Sequence, residues 1–145
     1  MFVTKVKYLN KPLNKIKPPR PGDLGIDIYA DANIDMVPGD VTLVPTGIAI
    51  QPPTGYWFQI IDRSSVSKYA HVMAGVLDPN YRGEIFVRLK CNKASNKLPF
   101  FKINRGDKIA QLVLRKDNTG KILLLEVDKL DESIRGSAGF GSTGK

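Results

Sequence analysis

The chain is a succession of short strand-like runs cut apart by proline and glycine, with no long amphipathic helix among them. The runs are FVTKVKYL, VTLVP, GIAIQ, YWFQII, EIFVRLKC, PFFKI, IAQLVL and ILLLEV. β-branched and aromatic residues alternate or cluster within them, and PPRPGD, VPGD, QPPTG, DPNYRG and NRGD separate most of them. A pleated, half-buried surface favours the first set, whereas turns need Gly, Pro, Asn and Asp. Many short strands at close spacing predict an all-β sandwich, jelly roll or barrel. Only SSVSKYA (64–70) reads as a helical turn, with Ser64 or Ser65 as N-cap. KPLNKIKPPRPGD (11–23) reads as an extended surface connection. With 145 residues, 42% of them hydrophobic, the chain can bury one core, and no repeat or linker calls for a second domain.

The net charge of +8 is unevenly spread: residues 1–20 carry Lys5, Lys7, Lys11, Lys15, Lys17 and Arg20 and no acidic residue. Such a surface favours phosphate-bearing partners, nucleic acids and free nucleotides alike. Cys91 is the only cysteine, which excludes an intrachain disulfide framework and a Cys-based zinc site. No run reaches the roughly 18 to 20 apolar residues of a membrane span, and MFVTKVKYLNK lacks a signal-peptide core. The expectation is a protein that is not secreted and binds no membrane. Its place is cytoplasmic or nuclear, in a host cell if the chain is viral.

His71 is the only histidine, so a His-metal cluster is excluded and a Ser-His-Asp triad disfavoured. Residues 139–145, GFGSTGK, satisfy the front of the pattern G-x-x-x-x-G-K-[ST]. That loop needs a preceding strand, a following helix and a hydroxyl for magnesium. None is expected here, so the match reads as a coincidence of a glycine-rich tail. Three other stretches combine turn chemistry with reactive groups. IIDRSSVSK offers the Arg63 guanidinium, the hydroxyls of Ser64 and Ser65 and free amides, which suit an oxyanion or phosphate. AGVLDPNYRGE places Asp78 at a strand end before a Pro turn, with Tyr81 and Arg82 following, as a general base or an ordinary turn aspartate. NRGDKIAQLVL sets Gln111 among apolar residues, where its amide needs partners from structure or ligand.

In order along the chain, these stretches resemble the five motifs of the trimeric deoxyuridine triphosphatase (dUTPase) family. GIDIY (25–29) resembles the first motif, RSS (63–65) the second and GVLDPNYRGE (75–84) the third. GDKIAQL (106–112) resembles the fourth and RGSAGFGSTG (135–144) the fifth. The resemblance runs from about residue 20 to the end of the sequence and implies a jelly-roll β domain over 1–134. Residues 135–145 would be a flexible C-terminal lid of that domain. It also implies a homotrimer with active sites shared between subunits, no requirement for nucleic acid, and hydrolysis of dUTP to dUMP and pyrophosphate. Such an activity limits uracil in DNA and supplies dUMP for thymidylate synthesis.

The roles it implies fall on named residues. Asp78 would be the general base that activates a water against the α-phosphorus. Tyr81 would lie against the deoxyribose, and backbone groups around Val72, Gly75 and Phe86 would read the uracil edge, with Val76 and Leu77 in the same substrate-binding stretch. Arg63, Ser64, Ser65 and Gln111 would hold phosphate oxygens. Mg2+ would be chelated by the triphosphate and waters with no direct protein ligand, Asp27 orienting that shell through water. Phe140 would stack on uracil while Arg135, Gly141, Ser142 and Thr143 close over the phosphates.

One position departs from the pattern: Asp62 stands where most members of the family have proline. An extra carboxylate beside an anion site weakens phosphate binding unless it points away, pairs with a cation or caps the turn. On the sequence alone, Asp62→Pro is expected to leave turnover roughly intact. The related dCTP deaminase family shares the resemblance at Arg63–Ser65 and Asp78–Pro79. It relies, however, on a glutamate in the strand where this chain has Arg88, and it lacks the GFGSTG tail. A catalytically silent binding module or a basic nucleic-acid binder is the other reading. The lysine-rich N-terminus motivates it, and no RNP-like platform, helix-turn-helix or zinc spacing supports it.

Overall fold

The structure, a computed structural model, describes residues 1–139. Its strands are β1 (Lys5–Tyr8), β2 (Gly25–Tyr29), β3 (Ile34–Met36), β4 (Val41–Pro45), β5 (Ile48–Gln51) and β6 (Tyr56–Asp62). They continue with β7 (Ala70–Met73), β8 (Val76–Leu77), β9 (Phe86–Cys91), β10 (Phe101–Ile103) and β11 (Lys108–Lys116). One sheet has the order β2-β11-β6-β8 and a second the order β4-β9-β7, with the pairs β1-β5 and β3-β10 beside them. Every pairing is antiparallel. Strands distant in sequence meet as neighbours, as β2 with β11 and β4 with β9, giving the all-β jelly roll expected from the sequence.

The alternation that marks these strands is the alternation of burial. In β9, Val87, Leu89 and Cys91 are buried while Phe86, Arg88 and Lys90 face out. Phe58 and Ile60 of β6, Ile28 of β2 and Leu112 of β11 meet them in one core with Met36, Val44, Ile85 and Ile103. Each such side chain contributes roughly 1.5 to 3 kcal/mol by leaving water. Burial also raises the Cys91 thiol above its ordinary value. β11 breaks the alternation because a bulge shifts its register against β2 between Lys108 and Ala110, leaving Ile109 and Ala110 both buried.

Two expected elements differ. SSVSKYA is a run of turns, with the Val66 and Ser67 amides both donating to the Arg63 carbonyl (3.0 and 2.9 Å). Ala70 already enters β7, so no helix can propagate, and the Ser67 hydroxyl donates to the Ser64 carbonyl. The only helical element among the described residues is a 3₁₀ turn at Thr119–Lys121. ILLLEV forms no strand: Leu123, Leu124 and Leu125 are 87%, 91% and 77% exposed. A strand needs a partner edge, and this segment has none within its own chain among the described residues.

The 11–23 connection has no strand, as expected, and is tied down near its start. Arg105 donates from Nε to Asp31 Oδ1 (2.8 Å) and from a terminal nitrogen to the Lys11 carbonyl (2.9 Å). Asn10 donates to the other Asp31 oxygen (2.8 Å). The Arg105 hydrogen bond outweighs the opposing effect of burial and, with Asn10 and the Arg105 charge, holds the Asp31 carboxyl below its ordinary value. A lowered folded-state pKa gives stability that is present above the ordinary carboxylate range and lost as pH falls through the lower, folded value. Asp31→Asn is therefore expected to cost about 1 to 2 kcal/mol at neutral pH. Thermal melts should show the gap between variant and native protein closing towards acid pH.

Candidate active site

β6 ends at Asp62 and hands Arg63 to the turn that follows. Across the sheet, Asp27 of β2, Gln111 of β11 and Ile61 of β6 stand in one row. The Asp27 carboxylate accepts from Lys108 Nζ (2.7 Å) and from Arg63 Nε (3.3 Å). Burial raises its pKa, but the Lys108 hydrogen bond and the charges of Lys108 and Arg63 prevail and hold it below the ordinary value. Arg63 also donates to the Ser65 hydroxyl. Gln111 lies so close over Gly25 that a Cβ there would overlap its amide, which accounts for glycine at that position. Ser65 lines a neighbouring cleft across Arg63, while Asp27, Ile61, Arg63, Lys108 and Gln111 open on a cleft of about 570 Å³ that also carries Arg20 and Arg115. Its cations outnumber its carboxylates, Asp23 and Asp27, so it suits an anion with several oxygens.

A second cleft, of about 320 Å³, lies beside β8. Val76, Leu77, Asp78, Tyr81 and Phe86 line it, with Ile60, Ile85 and Leu43 supplying further apolar wall. The turn after Asp78 closes through the Tyr81 amide on the Asp78 carbonyl (3.1 Å), and the Tyr81 hydroxyl donates to the Glu84 carbonyl (2.9 Å). A side chain at Gly83 would strike the Tyr81 ring, so glycine lets that ring lie back along the cleft. Glu84 also lines the cleft, but its carboxylate accepts the Gly47 amide (2.9 Å). Among the described residues no salt bridge engages Asp78, which leaves its carboxylate exposed to whatever enters.

The two clefts lie apart within one chain. The Asp27 row meets β6 at Ile61, whereas Leu77 of β8 pairs with Phe58, on the opposite edge of the sheet. Strands lie about 4.8 Å apart and rise about 3.3 Å per residue, so three strand spacings and three residues separate the two by about 17 Å. Asp78 is one residue further out. The structure thus gathers Asp27, Arg63, Ser65 and Gln111 on one side, and Val76, Leu77, Asp78, Tyr81 and Phe86 on the other. Ser64 is exposed in the turn beside Arg63.

Val72 and Gly75 line neither cleft. The Val72 amide donates to Asp62 Oδ1 (2.6 Å), and the Gly75 carbonyl accepts the Ile60 amide (2.7 Å). Ala74, in the connection from β7 to β8 with a φ of 54°, lines the Asp78 cleft instead. Arg135 sits in an exposed turn where its Nε donates to the Ala138 carbonyl (2.7 Å). Phe140, Gly141, Ser142 and Thr143 lie outside the described residues. Lys108 and Glu84 were not read from the sequence. Lys108 is three residues from Gln111, opposite faces in a regular strand, and only the β11 bulge brings them to one side.

Compared with known proteins, the chain matches a family model described as dUTPase over residues 11–144. It belongs to the dUTPase family. The deoxyuridine 5'-triphosphate nucleotidohydrolase of Corynebacterium glutamicum is 39% identical over 145 residues, 97% of this chain and 94% of that protein. The enzyme of the same name from Finegoldia magna is 39% identical over 147 residues, 97% of this chain and 99% of that protein. The dUTPase of Staphylococcus bacteriophage 80alpha with dUPNHPP superimposes with a TM-score of 0.84 at 25% identity, covering 99% of both chains. A mutant dUTPase from phage phi11 of S. aureus, described with a structural Mg(II) ion, has a TM-score of 0.69 at 22% identity, covering 90% of this chain and 97% of that one. No helix of the dUTPase fold seen here is long and apolar enough to cross a membrane, among the described residues.

Proposed function

We propose that this dUTPase hydrolyses dUTP to dUMP and pyrophosphate at a site shared between copies of the chain. The observation that carries it is Asp78, a carboxylate that no salt bridge engages among the described residues, lining an apolar cleft that also holds Tyr81 and Phe86. Asp78 orients a water and takes its proton. The water oxygen bonds the α-phosphorus, the bond from that phosphorus to the oxygen bridging the β-phosphate breaks, and pyrophosphate leaves. Placement of the water supplies most of the gain, since a carboxylate is a mild base.

Uracil enters the apolar cleft, and backbone groups of the Gly75–Leu77 stretch and Phe86 read its edge. Val72 contributes position rather than an N–H, because that amide is engaged by Asp62. Cytosine leaves donors and acceptors mismatched at about 1 to 3 kcal/mol each. Tyr81 fills the space a ribose 2′-hydroxyl would need. Arg63, Ser64, Ser65 and Gln111 hold phosphate oxygens. Phe140 stacks on the base while Arg135, Gly141, Ser142 and Thr143 close over the phosphates, so that residues 135–145, the lid of the domain formed by 1–134, close over a site built by neighbouring copies.

Among the described residues no group of three or more His, Cys, Asp or Glu forms a metal cage. Asp27 is engaged by Lys108 and Arg63. That arrangement fits Mg2+ arriving on the triphosphate, with Asp27 reaching its waters at most, and the ion neutralises phosphate charge.

Two observations support a homotrimer with shared sites. The Asp78 cleft and the Arg63 cleft of one chain lie apart, with Leu77 and Asp27 on opposite edges of the four-stranded sheet. The bare apolar segment Ile122–Val127 also calls for a partner surface. Physiologically the reaction limits uracil in DNA and supplies dUMP. The test is product analysis with dUTP, dCTP and UTP side by side. Pyrophosphate from dUTP alone supports the reading, and ammonia from dCTP would point to the deaminase chemistry instead.

A further inference from the structure

Asp62 does not face the phosphate cluster that begins one residue later. Its carboxylate turns to β7, where Oδ1 accepts the Val72 amide (2.6 Å) and Oδ2 lies 2.8 Å from His71 Nδ1. β6 and β7 belong to different sheets, and no ladder pairs them. Beyond Ala74, β8 pairs with Phe58 and Gln59, and the Gly75 carbonyl accepts the Ile60 amide. The fit there is tight, since a Cβ at Gly75 would run into the Ile60 carbonyl. The strands on either side of Ala74 are thus both fastened to β6, β8 by backbone and β7 by a side chain. Between the two fastenings stands Ala74, in a left-handed conformation that costs energy for any residue but glycine and persists only where its surroundings hold it. Ala74 walls the Asp78 cleft.

We propose that Asp62, steadied by His71, is a positioning residue that sets the β7–β8 connection at Ala74 and thereby the base end of the Asp78 cleft. The proposal rests on the dUTP-hydrolysis reading above, and it replaces the expectation that proline would serve equally well at this position. A carboxylate only accepts, so His71 donates from Nδ1. Loss of the carboxylate loosens the wall that meets the base without moving Asp78 or the reacting phosphorus, so affinity falls and the chemical step does not.

Steady-state kinetics and the ring nitrogen signals of His71, the only histidine, test this on the full chain. Asp62→Ala should raise KM for dUTP by about 10- to 100-fold with kcat within about 2-fold. Asp62→Asn should restore a KM near the native value, because its amide oxygen still accepts from Val72 and its NH₂ can donate to His71. That rescue has a signature: the ring proton moves from Nδ1 in the native protein to Nε2 in Asp62→Asn. Should Asp62→Ala fail to fold, His71→Ala carries the test, with KM raised by about 3-fold at unchanged kcat. Native KM in Asp62→Ala or in His71→Ala, or a native ring protonated at Nε2 and not at Nδ1, overturns the proposal. No pyrophosphate from dUTP with the native chain overturns instead the reading beneath it, and the ring signals still report on the pair.

Discussion

Asp78→Asn will lower kcat for dUTP by about 10²- to 10⁴-fold while leaving dUTP binding within a few-fold of native. The amide has nearly the carboxylate's shape and keeps an acceptor towards a water, but it cannot take the proton. Asp78 belongs to the turn closed by the Tyr81 amide, and that bond uses the Asp78 backbone, so the substitution leaves the turn intact. The neighbouring Glu84 cannot substitute, because its carboxylate is held by the Gly47 amide. Rapid-quench measurement of pyrophosphate, beside equilibrium binding of a non-hydrolysable dUTP analogue, separates the two effects. Near-native turnover in Asp78→Asn would remove Asp78 from the mechanism.

Ending the chain before Arg135 is expected to have the second large effect, a loss of roughly 100-fold or more in kcat/KM. Residues 122–139 contribute no strand and none of the buried core, so thermal stability should stay close to native. What the deletion removes is the group of contacts assigned to Arg135, Phe140, Ser142 and Thr143 around bound nucleotide. Residues that gain little from packing cost on the order of 1 to 2 kcal/mol each to order, and nucleotide contacts must offset that cost. The deficit should therefore show against nucleotide and not against heat.

Most of the strands were legible because burial here follows a period of two, as FVRLKC in β9 shows residue by residue. SSVSKYA misled because local turn chemistry resembles a helix start, while the strand that follows at Ala70 is decided by pairing with β9. ILLLEV misled in the opposite sense: its residues favour a strand, but among the described residues no edge of its own chain receives it. The motif residues were all visible in the sequence. Their division between two clefts, with Asp27 and Leu77 on opposite edges of one sheet, was not, since it depends on which strands become neighbours. Lys108 was hidden by a bulge, and the grip of Asp62 on Val72 by its being a contact between sheets.

If the dUTP-hydrolysing site is assembled from more than one copy of the chain, variants damaged in different parts of it should rescue one another. Asp78→Asn and the chain ended before Arg135, each strongly impaired alone, are jointly unfolded and refolded at equal amounts. If Asp78 and the closing tail reach a site from different copies, about a quarter of the sites in the mixture hold both in intact form. Pyrophosphate release should then recover to about a quarter of the native rate, with neither variant active alone. A mixture as inactive as its components would instead place Asp78 and the tail that closes over it in the same chain, and the shared site proposed above would be wrong.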